Sequence, residues 1–318
     1  MTATGAPAAL DDFLTRARAR VDEALERYLP KPPECPPLVS EAMRYSVFAG
    51  GKRLRPTLAL AAADAIARAE NEPVDAAFEL AVPAACAIEL IHTYSLIHDD
   101  LPAMDNDTLR RGRPTLHVVY GDGIAILAGD GLQAEAFSLL AREPVTADAA
   151  ITQRKLLAVE VIAHAAGSVG MVGGQAIDLQ ACGQAPGHSI ALDAEGLQKM
   201  HARKTGAIIR ASAVSGAVMA GAAESAVTAI DHFATDIGLA FQIVDDILDV
   251  EGSAAQLGKT AGKDAAGTKP TYPALFGVDR SRTLAAECLS RARDTLRTAR
   301  LDTGWLVPIA EWVVSRRS

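Results

Sequence analysis

Residues 74–100 read VDAAFELAVPAACAIELIHTYSLIHDD, a long apolar segment that ends in two adjacent aspartates. The stretch from Val74 to His98 is so rich in apolar residues that it predicts a long helix buried nearly all round. Pro83 is expected either to kink this helix or to mark its true start, because proline removes a backbone donor and crowds the preceding turn. The segment therefore predicts an interior helix of a large helical core.

The composition of the whole chain also predicts an all-α fold. The chain has 318 residues, of which 49% are hydrophobic and only 4% aromatic. Alanine and leucine are abundant and form helices well, whereas strands favour β-branched and aromatic residues. The length would allow two domains, but no fixed-period repeat, low-complexity tract or clear linker divides the sequence. One helical domain over residues 1–318 is the simplest interpretation.

Periodicity and helix breakers place the remaining elements. Further helices are predicted at about 11–29, in a short segment ending at Gly50-Gly51, from near Pro56 onward, and at about 124–141, 148–166, 204–221, 225–250 and 280–316. Loops are predicted at 101–114 and 251–270, and glycine-rich breaks at 167–174 and 183–187. Proline and glycine set several of these limits, because proline disrupts a helix interior and glycine is favoured just past a helix end.

Charge and cysteine usage argue against several classes of function. The net charge of −8 disfavours nucleic-acid binding, which needs a basic surface. The four cysteines form no C-x-x-C pair, so we expect neither a disulfide framework nor a zinc site, and a reducing cytosol fits. The first residues lack the features of a signal peptide, and no stretch of about 18 uninterrupted apolar residues predicts a membrane span. We therefore expect a cytoplasmic protein with no stable membrane association.

Two clusters of aspartates lie at or near the ends of apolar helices. The first is IHDDLPAMDND at 97–107, and the second is VDDILD at 244–249. Asp245 and Asp249 share one face of the second helix, and Gln242 lies on that face too. Two carboxylates about 6 Å apart repel by roughly 3 kcal/mol at an effective dielectric constant near 20. Each cluster therefore indicates a bound cation.

The residue types in these clusters select the cation. Aspartates without paired histidines favour magnesium over zinc. His98, beside Asp99, is expected to support the cluster by hydrogen bonding and not to bind the metal. Magnesium seldom takes a cage made only of protein ligands and prefers a few carboxylates together with substrate phosphates. The sequence thus predicts magnesium shared between aspartates and a phosphorylated substrate.

Basic residues near the glycines and aspartates indicate anion binding. Gly50-Gly51-Lys52-Arg53-Leu54-Arg55 precedes a predicted helix, whose N-terminus favours phosphate. In a helical turn Lys52 and Arg55 point the same way, whereas Arg53 points elsewhere and is interpreted as a solvated surface residue. The other basic groups near the clusters are Arg110, Arg111, Arg113, Lys204, Lys259, Lys263 and Lys269. The glycine-rich segment does not match the Walker A pattern, so a nucleotide site is not supported.

Taken together, these motifs resemble the trans-prenyl diphosphate synthases, and within that family the bacterial type of farnesyl diphosphate synthase. GGKRLRP at 50–56 is similar to the family's isopentenyl diphosphate motif. DDLPAMD at 99–105 is similar to its first aspartate-rich motif, in the version with four residues between the Asp pair and the last Asp. The other matching stretches are LRRGRPTLH at 109–117, GGQAIDL at 173–179, KTGAIIR at 204–210, FQIVDDILD at 241–249, LGK at 257–259 and TYPAL at 271–275. They occur in the family's order and cover most of the chain.

The resemblance implies an isoprenoid-synthase-type helical bundle around a deep central cavity, a homodimer, and more than one Mg²⁺ ion bridging the allylic diphosphate. It implies that Asp99, Asp105 and Asp245 are the principal metal ligands, supported by Asp100 and Asp249. The residues that would hold the allylic diphosphate are Lys204, Thr205, Gln242, Lys259 and Arg110. Those that would hold isopentenyl diphosphate are Lys52, Arg55, His92 and Arg111.

The sequence departs from the family pattern at three positions. Asn106 and Thr108 interrupt a run that is often filled with aspartates, and we interpret that run as peripheral to the metals. Thr268 stands where a glycine usually precedes a lysine. That lysine, Lys269, is retained and is expected to contact substrate.

The expected chemistry is transfer of an allylic group, with Asp99, Asp105, Asp245 and Lys204 as catalytic residues. Magnesium and basic groups neutralise the charge that builds on the leaving diphosphate. The allylic carbon–oxygen bond ionises, and the double bond of isopentenyl diphosphate attacks the carbocation. A proton is then lost, by resemblance to the departing diphosphate. The cavity must exclude water, which would quench the cation.

Tyr94 and Ser95, which precede Asp99 in the same helix, are expected to govern product length. Ser95 lies one helical turn below Asp99 on roughly the same face, whereas Tyr94 is turned aside. In the family both positions control chain length, and a bulky Tyr94 with a small Ser95 resembles makers of fifteen-carbon (E,E)-farnesyl diphosphate.

Three alternatives stay open. A geranylgeranyl diphosphate synthase would use the same chemistry. A terpene cyclase usually carries Asn, Ser and Glu in its second metal motif, unlike Asp245-Asp246-x-x-Asp249 here. A non-catalytic subunit of a heteromeric synthase typically lacks one aspartate motif, and both are present in this chain.

Overall fold

The structure is a computed structural model that describes residues 5–252 and 271–316, and these residues fold mainly into α-helices. The helices are α1 (Gly5–Tyr28), α2 (Pro37–Val47), α3 (Leu54–Ala69), α4 (Val74–Asp99), α5 (Leu116–Tyr120), α6 (Asp122–Arg142), α7 (Ala149–Ala166), α8 (Met171–Ala181), α9 (Ala194–His201), α10 (Ala207–Ala220), α11 (Glu224–Glu251), α12 (Tyr272–Phe276), α13 (Val278–Thr298) and α14 (Leu306–Ser315). A π-helical segment, Ala202–Gly206, joins α9 to α10. Strands β1 (Leu109–Arg110) and β2 (Arg113–Pro114) form a short antiparallel hairpin.

Helix α4 is the interior helix that its sequence predicts. It runs unbroken from Val74 to Asp99 with Pro83 inside it, so this proline does not mark the start. Ile88 and Ile91 are completely buried, and the helix packs against α3, α6 and α10. Burying apolar surface stabilises the fold by about 25 cal/mol per Å². The buried residues of α4 belong to the larger hydrophobic core.

Small residues allow α3 and α10 to approach each other closely. Most of α3 is buried, and its interior positions are largely alanine. A side chain at Gly216 of α10 would place its Cβ 2.0 Å from the carbonyl oxygen of Ala59. Only glycine fits there, so α10 lies directly against the backbone of α3, and α4 and α11 both pack against α10.

A second layer is built around α11. This helix packs against α10 on one side and α13 on the other, and α14 closes against α3, α11 and α13. Ile243, Ile247 and Tyr272 form a smaller hydrophobic cluster with residues of α9 and α13. The aspartates of the second cluster therefore lie on a helix whose opposite face is fixed in the core.

Several local predictions differ from the structure. Gly173 and Gly174 lie inside α8 and do not break a helix, because the second of them allows close contact: its Cβ would lie 2.2 Å from the backbone nitrogen of Lys204. Lys204 and Thr205 do not open a helix; they lie in the π-helical segment within a continuous helical path. The loop predicted at 101–114 contains the β1–β2 hairpin, and the helical tail divides into α13 and α14. Most of the predicted 251–270 loop lies outside the described residues.

Two stretches of the described chain are long and apolar enough to cross a bilayer, judged by length and composition alone. They are Asp122–Arg142 and Ala149–Ala181, and 39% and 33% of their most apolar windows are buried in the fold. Helices of soluble cores pass the same test, so the sequence-based expectation of no membrane association remains a prediction.

Candidate active site

The first aspartate cluster forms where α4 ends. Asp99 is the last residue of the helix, and the turn that follows returns to it: the backbone N–H of Asp105 donates to the carbonyl of Asp99 at 2.9 Å. Burial raises the pKa of Asp99 to about 6; the positive charge of Lys204 opposes this rise, and the negative charge of Asp105 adds to it. A carboxylate with this environment gains from a nearby cation.

Asp100 and Arg110 form a buried bidentate pair beside Asp99. The Nε and Nη2 atoms of Arg110 donate to the Asp100 carboxylate over 2.5 to 2.8 Å, and the side chain of Asp100 is 5% exposed. The β1–β2 hairpin supplies this arginine, because its turn brings residue 110 back toward the end of α4. In the structure Arg110 therefore contacts the aspartate cluster directly, and its charge also lowers the pKa of Asp99.

Lys204 reaches the same region from the π-helical segment. Its Nζ pairs with Oδ2 of Asp178, a buried residue of α8, and its charge acts on Asp99. Thr205, its neighbour, is half-buried. Asp178 thus fixes the lysine ammonium near the first aspartate cluster.

The second aspartate cluster divides its two adjacent carboxylates between separate roles. Asp246 is buried, and it accepts from the Tyr272 backbone N–H at 2.9 Å and from Gln242 Nε2 at 3.1 Å. Burial raises the pKa of Asp246 to about 6. Asp245 is 38% exposed and contacts Arg316 at 2.6 Å. Asp245 is therefore the more accessible of the two carboxylates, and its role as a metal ligand stays a prediction. The side chain of Gln242, which was expected to hold the allylic diphosphate, donates to Asp246.

Three cations gather next to Asp245. The negative charge of Asp245 acts on both Lys52 and Arg55, although burial has the larger effect and lowers the pKa of each. Arg316 stacks on the Phe241 ring with its Cζ 3.9 Å from the centroid. The Nε of Arg55 is buried and has no hydrogen-bond partner in the part of the chain that the structure describes. An orphaned donor among several cations suits an incoming anion.

The loop before α3 is shaped by glycine. Gly50 and Gly51 have φ of +86° and +117°, which other residues seldom adopt. A Cβ on Gly51 would lie 2.4 Å from the guanidinium of Arg111, and Arg111 donates to the carbonyl of Gly50. The close approach that glycine permits therefore brings Arg111 from the hairpin to the loop that carries Lys52.

His92 lies beside this cationic group in its neutral form. Arg55 Nη1 donates to His92 Nε2 at 3.1 Å, so that ring nitrogen must be the unprotonated one. Burial and the charges of Arg55 and Arg111 hold the pKa of His92 well below its usual value. The four residues expected to bind isopentenyl diphosphate are thus brought together by α3, α4 and the hairpin.

Tyr94 and Ser95 lie one turn below the first cluster. Tyr94 is 6% exposed, its ring meets His98 edge-on at 5.7 Å, and its hydroxyl is buried without a hydrogen-bond partner in the described chain. Burial raises the pKa of Tyr94 to about 12, and the negative charge of Asp99 adds to the rise. Ser95 is half-buried and donates to the carbonyl of His92 at 2.9 Å. The supporting role expected of His98 fits its contact with the carbonyl of Ile126 at 3.2 Å.

The carboxylates fit a hard cation that takes part of its coordination from a ligand. Within 5–252 and 271–316, no three aspartate, glutamate, histidine or cysteine side chains are arranged to hold a metal by themselves. The predicted donors, Asp99, Asp105 and Asp245, are oxygen ligands, and burial raises the pKa of Asp99, so a cation beside it would favour its charged form. Magnesium has this preference for a few carboxylates plus phosphate oxygens.

Comparison with known proteins identifies the family. Residues 36–300 match the family model described as polyprenyl synthetase. The chain belongs to the polyprenyl synthetase family. It is 42% identical to a farnesyl diphosphate synthase from Geobacillus stearothermophilus over 307 residues, which are 96% of this chain and 98% of that protein.

Further relatives of this polyprenyl synthetase differ in product. A geranylgeranyl diphosphate synthase from Cyanophora paradoxa is 41% identical over 311 residues, with 96% of each chain covered. A crystal structure of a geranyltransferase from Helicobacter pylori, complexed with magnesium and isoprenyl diphosphate, matches with a TM-score of 0.78 at 29% identity and covers 95% of each chain. The predicted all-α isoprenoid-synthase fold is confirmed, and the chain is a prenyltransferase.

The polyprenyl synthetase site also contains residues that the sequence did not single out. Asp178 pairs with Lys204, Arg316 pairs with Asp245, and Tyr272 holds Asp246 through its backbone. Asp178 and Tyr272 fall inside matched motifs, GGQAIDL and TYPAL, which was the available signal, whereas nothing in the sequence pointed to Arg316. Arg53 is not the surface residue that was expected: its side chain is 2% exposed and ion-paired with Glu89. Lys259, Lys263 and Lys269 lie outside the described residues.

Proposed function

We propose that this prenyltransferase is a magnesium-dependent farnesyl diphosphate synthase that condenses isopentenyl diphosphate with dimethylallyl and then geranyl diphosphate. The observation that carries the proposal is the division of the site. Asp99 and Asp100, which suit a metal-bound diphosphate, lie beside Lys204 and Arg110. A cationic group around Arg55, next to Asp245, suits a diphosphate bound directly. A condensation of two diphosphates needs both kinds of site, whereas a cyclase needs only the first.

The residues divide the chemistry between them. Asp99, Asp105 and Asp245 would hold magnesium, which when bound supplies positive charge to the leaving allylic diphosphate. Lys204 and Arg110 add fixed positive charge on the same side and so favour ionisation of the carbon–oxygen bond. The complex in the Helicobacter pylori relative supports both the metal and the ligand class.

The group around Arg55 places the second substrate. Lys52, Arg55 and Arg111 would bind its diphosphate, and neutral His92 keeps one side of Arg55 occupied so that its free donors face the ligand. Binding of this diphosphate would hold the double bond near the carbocation. Holding the two reactants together lowers the entropic cost of the reaction. The proton released at the end passes to the departing diphosphate.

The fifteen-carbon product is supported by residues below Asp99. Tyr94 is a bulky side chain buried in the core under the first cluster, with the smaller Ser95 next to it. Geranylgeranyl diphosphate is the alternative product, favoured by the relative in Cyanophora paradoxa.

The test is incubation of pure protein with isopentenyl and dimethylallyl diphosphates, with magnesium or with excess chelator, followed by chromatography of the dephosphorylated products. We expect farnesol as the main product with magnesium and no product with chelator. Asp99→Asn and Asp245→Asn should lose activity. Asp231→Asn, which alters an exposed pair with Arg210 elsewhere on α11, is the matched control. Geranylgeraniol as the main product would favour the alternative, and turnover only after addition of a second protein would indicate a non-catalytic subunit.

We also propose that the protein is a cytoplasmic homodimer. The support for the dimer is an exposed apolar surface on α5, α6 and α7, which single soluble chains seldom keep in contact with water.

A further inference from the structure

Arg53 is a buried arginine in an unusual backbone conformation. It lies between Lys52 and Arg55, yet its side chain is 2% exposed and its φ is +50°. Bulky side chains seldom occupy this left-handed region, and such a conformation persists only where the surrounding structure determines it.

Three elements hold the Arg53 guanidinium. Nη1 donates to Glu89 Oε1 of α4 at 2.6 Å, Nε donates to Asp22 Oδ1 of α1 at 2.9 Å, and Nη2 donates to the carbonyl of Val47 at the end of α2 at 2.6 Å. The side chain of Glu89 is 4% exposed. Buried ion pairs are seldom the cheapest route to stability, so a role in fixing geometry is the better explanation of this one.

The end of the loop and the first turn of α3 are each joined to α4 by a hydrogen bond. Glu89 binds Arg53, and three residues later, on the same face of α4, His92 binds Arg55. These contacts set the position of the loop along the axis of α4. Lys52 lies immediately before the first of these anchors, so its position depends on it.

The Arg53–Glu89 ion pair also affects the charges of the neighbouring arginines. The negative charge of Glu89 acts on Arg55 and on Arg111 as well as on Arg53. While Arg53 neutralises Glu89, those two arginines keep their charge available to a ligand. Without Arg53, the buried carboxylate would draw them away from an incoming anion.

We propose that Arg53, anchored by Glu89 and Asp22, is a positioning residue that fixes Lys52, Arg55 and Arg111 for the diphosphate that carries no metal. It would not touch the substrate itself. This inference rests on the proposed function, because it deepens the assignment of the isopentenyl diphosphate site.

The experiment measures binding of isopentenyl diphosphate alone by calorimetry, and the KM of each substrate by initial rates. The variants are Arg53→Met, Arg53→Lys and Glu89→Gln. The control is Asp64→Asn, which alters another ion pair of α3, between the buried carboxylate of Asp64 and Arg68, whose side chain is 44% exposed. Thermal unfolding of every variant shows which of them are folded, and the two conservative variants keep the test valid should Arg53→Met fail to fold.

We expect Arg53→Met to weaken binding of isopentenyl diphosphate by roughly tenfold or more, since misplacement of about 1 Å can cost that much. The KM for the allylic diphosphate should change little, and Arg53→Lys should recover part of the loss. Asp64→Asn should lower the unfolding temperature without changing the binding of isopentenyl diphosphate or the KM of either substrate. Unchanged binding in folded Arg53→Lys and Glu89→Gln, or an equal loss for both substrates, would overturn the proposal. Failure of the wild-type protein to bind isopentenyl diphosphate would instead overturn the proposed function.

Discussion

His92 is neutral because burial disfavours its charged form and because Arg55 occupies its acceptor nitrogen. Arg55 can only donate, so its 3.1 Å contact with Nε2 is lost when that nitrogen gains a proton. The folded pKa of His92 is far below its usual value, whereas the unfolded chain takes up the proton near pH 6.5. The stabilising effect of neutral His92 is therefore present above pH 6.5 and is lost as the pH falls toward the folded pKa.

This linkage predicts a smaller acid sensitivity for His92→Gln, whose amide oxygen can still accept from Arg55. Between pH 7.5 and pH 5.5 the wild type should lose about 1.4 kcal/mol more of its free energy of unfolding than the variant does. Urea denaturation at both pH values measures this difference, and other titrating groups cancel because both proteins contain them. Equal losses in the two proteins would show that His92 can be protonated in the folded state.

Ser95 allows a direct test of product length. Its side chain is half-buried one turn below Asp99, so a larger group there takes volume from the space available to a growing chain. We expect Ser95→Phe to make ten-carbon geranyl diphosphate the main product. Ser95→Ala should keep the wild-type product, because it adds no volume. Chromatography of dephosphorylated products measures chain length, and a Ser95→Phe profile identical to wild type would contradict the prediction.

At the scale of single elements, α8 and the π-helical segment are in close backbone contact. A Cβ on Gly174 would lie 2.2 Å from the backbone nitrogen and 2.6 Å from the Cα of Lys204. Backbone atoms cannot rotate away as a flexible side chain can, so any side chain at position 174 must move the segment that carries Lys204.

Gly174→Ala is therefore expected to displace Lys204. Overpacking at such contacts typically costs about 1–3 kcal/mol of stability. We expect that loss together with a fall in kcat/KM for the allylic substrate of at least about tenfold, or about 1.4 kcal/mol of transition-state stabilisation. Gly123→Ala in α6, whose Cβ would meet nothing within 4 Å, is the control. Full activity of Gly174→Ala would mean that the segment tolerates the shift.

The elements that the sequence predicted well are those whose own residues determine them. The apolar run of α4 indicates a buried helix, and the structure confirms it. Local sequence predicts a helix break at Gly173 and Gly174, because it does not show that Gly174 is needed for contact with Lys204, 30 residues away. Arg53 was misplaced for the same reason: its partners Asp22 and Glu89 come from other helices, and only the fold brings them together.

At the scale of the whole molecule, three successive helices expose large apolar side chains. Successive helices α5, α6 and α7 pack against one another in the chain order. Their exposed apolar residues are Val118, Val119, Ile126, Leu127, Leu156 and Leu157. Leu127 is 54% exposed and Leu156 is 66% exposed. Exposed apolar side chains on neighbouring helices mark protein or membrane contacts, and a second copy of the chain is the partner that we propose for them.

If the proposed dimer forms through these helices, a charged residue introduced on them should separate the subunits without unfolding them. Wild-type protein should have about twice the chain mass of 33.2 kDa by light scattering after gel filtration. Leu127→Asp and Leu156→Asp should shift it toward the mass of one chain, because an isologous interface buries each introduced carboxylate twice, once per subunit. Leu275→Asp, on exposed α12, serves as the control and should keep the wild-type mass. A wild-type monomer that sediments with phospholipid vesicles would show instead that this surface faces a membrane, and the dimer would be excluded.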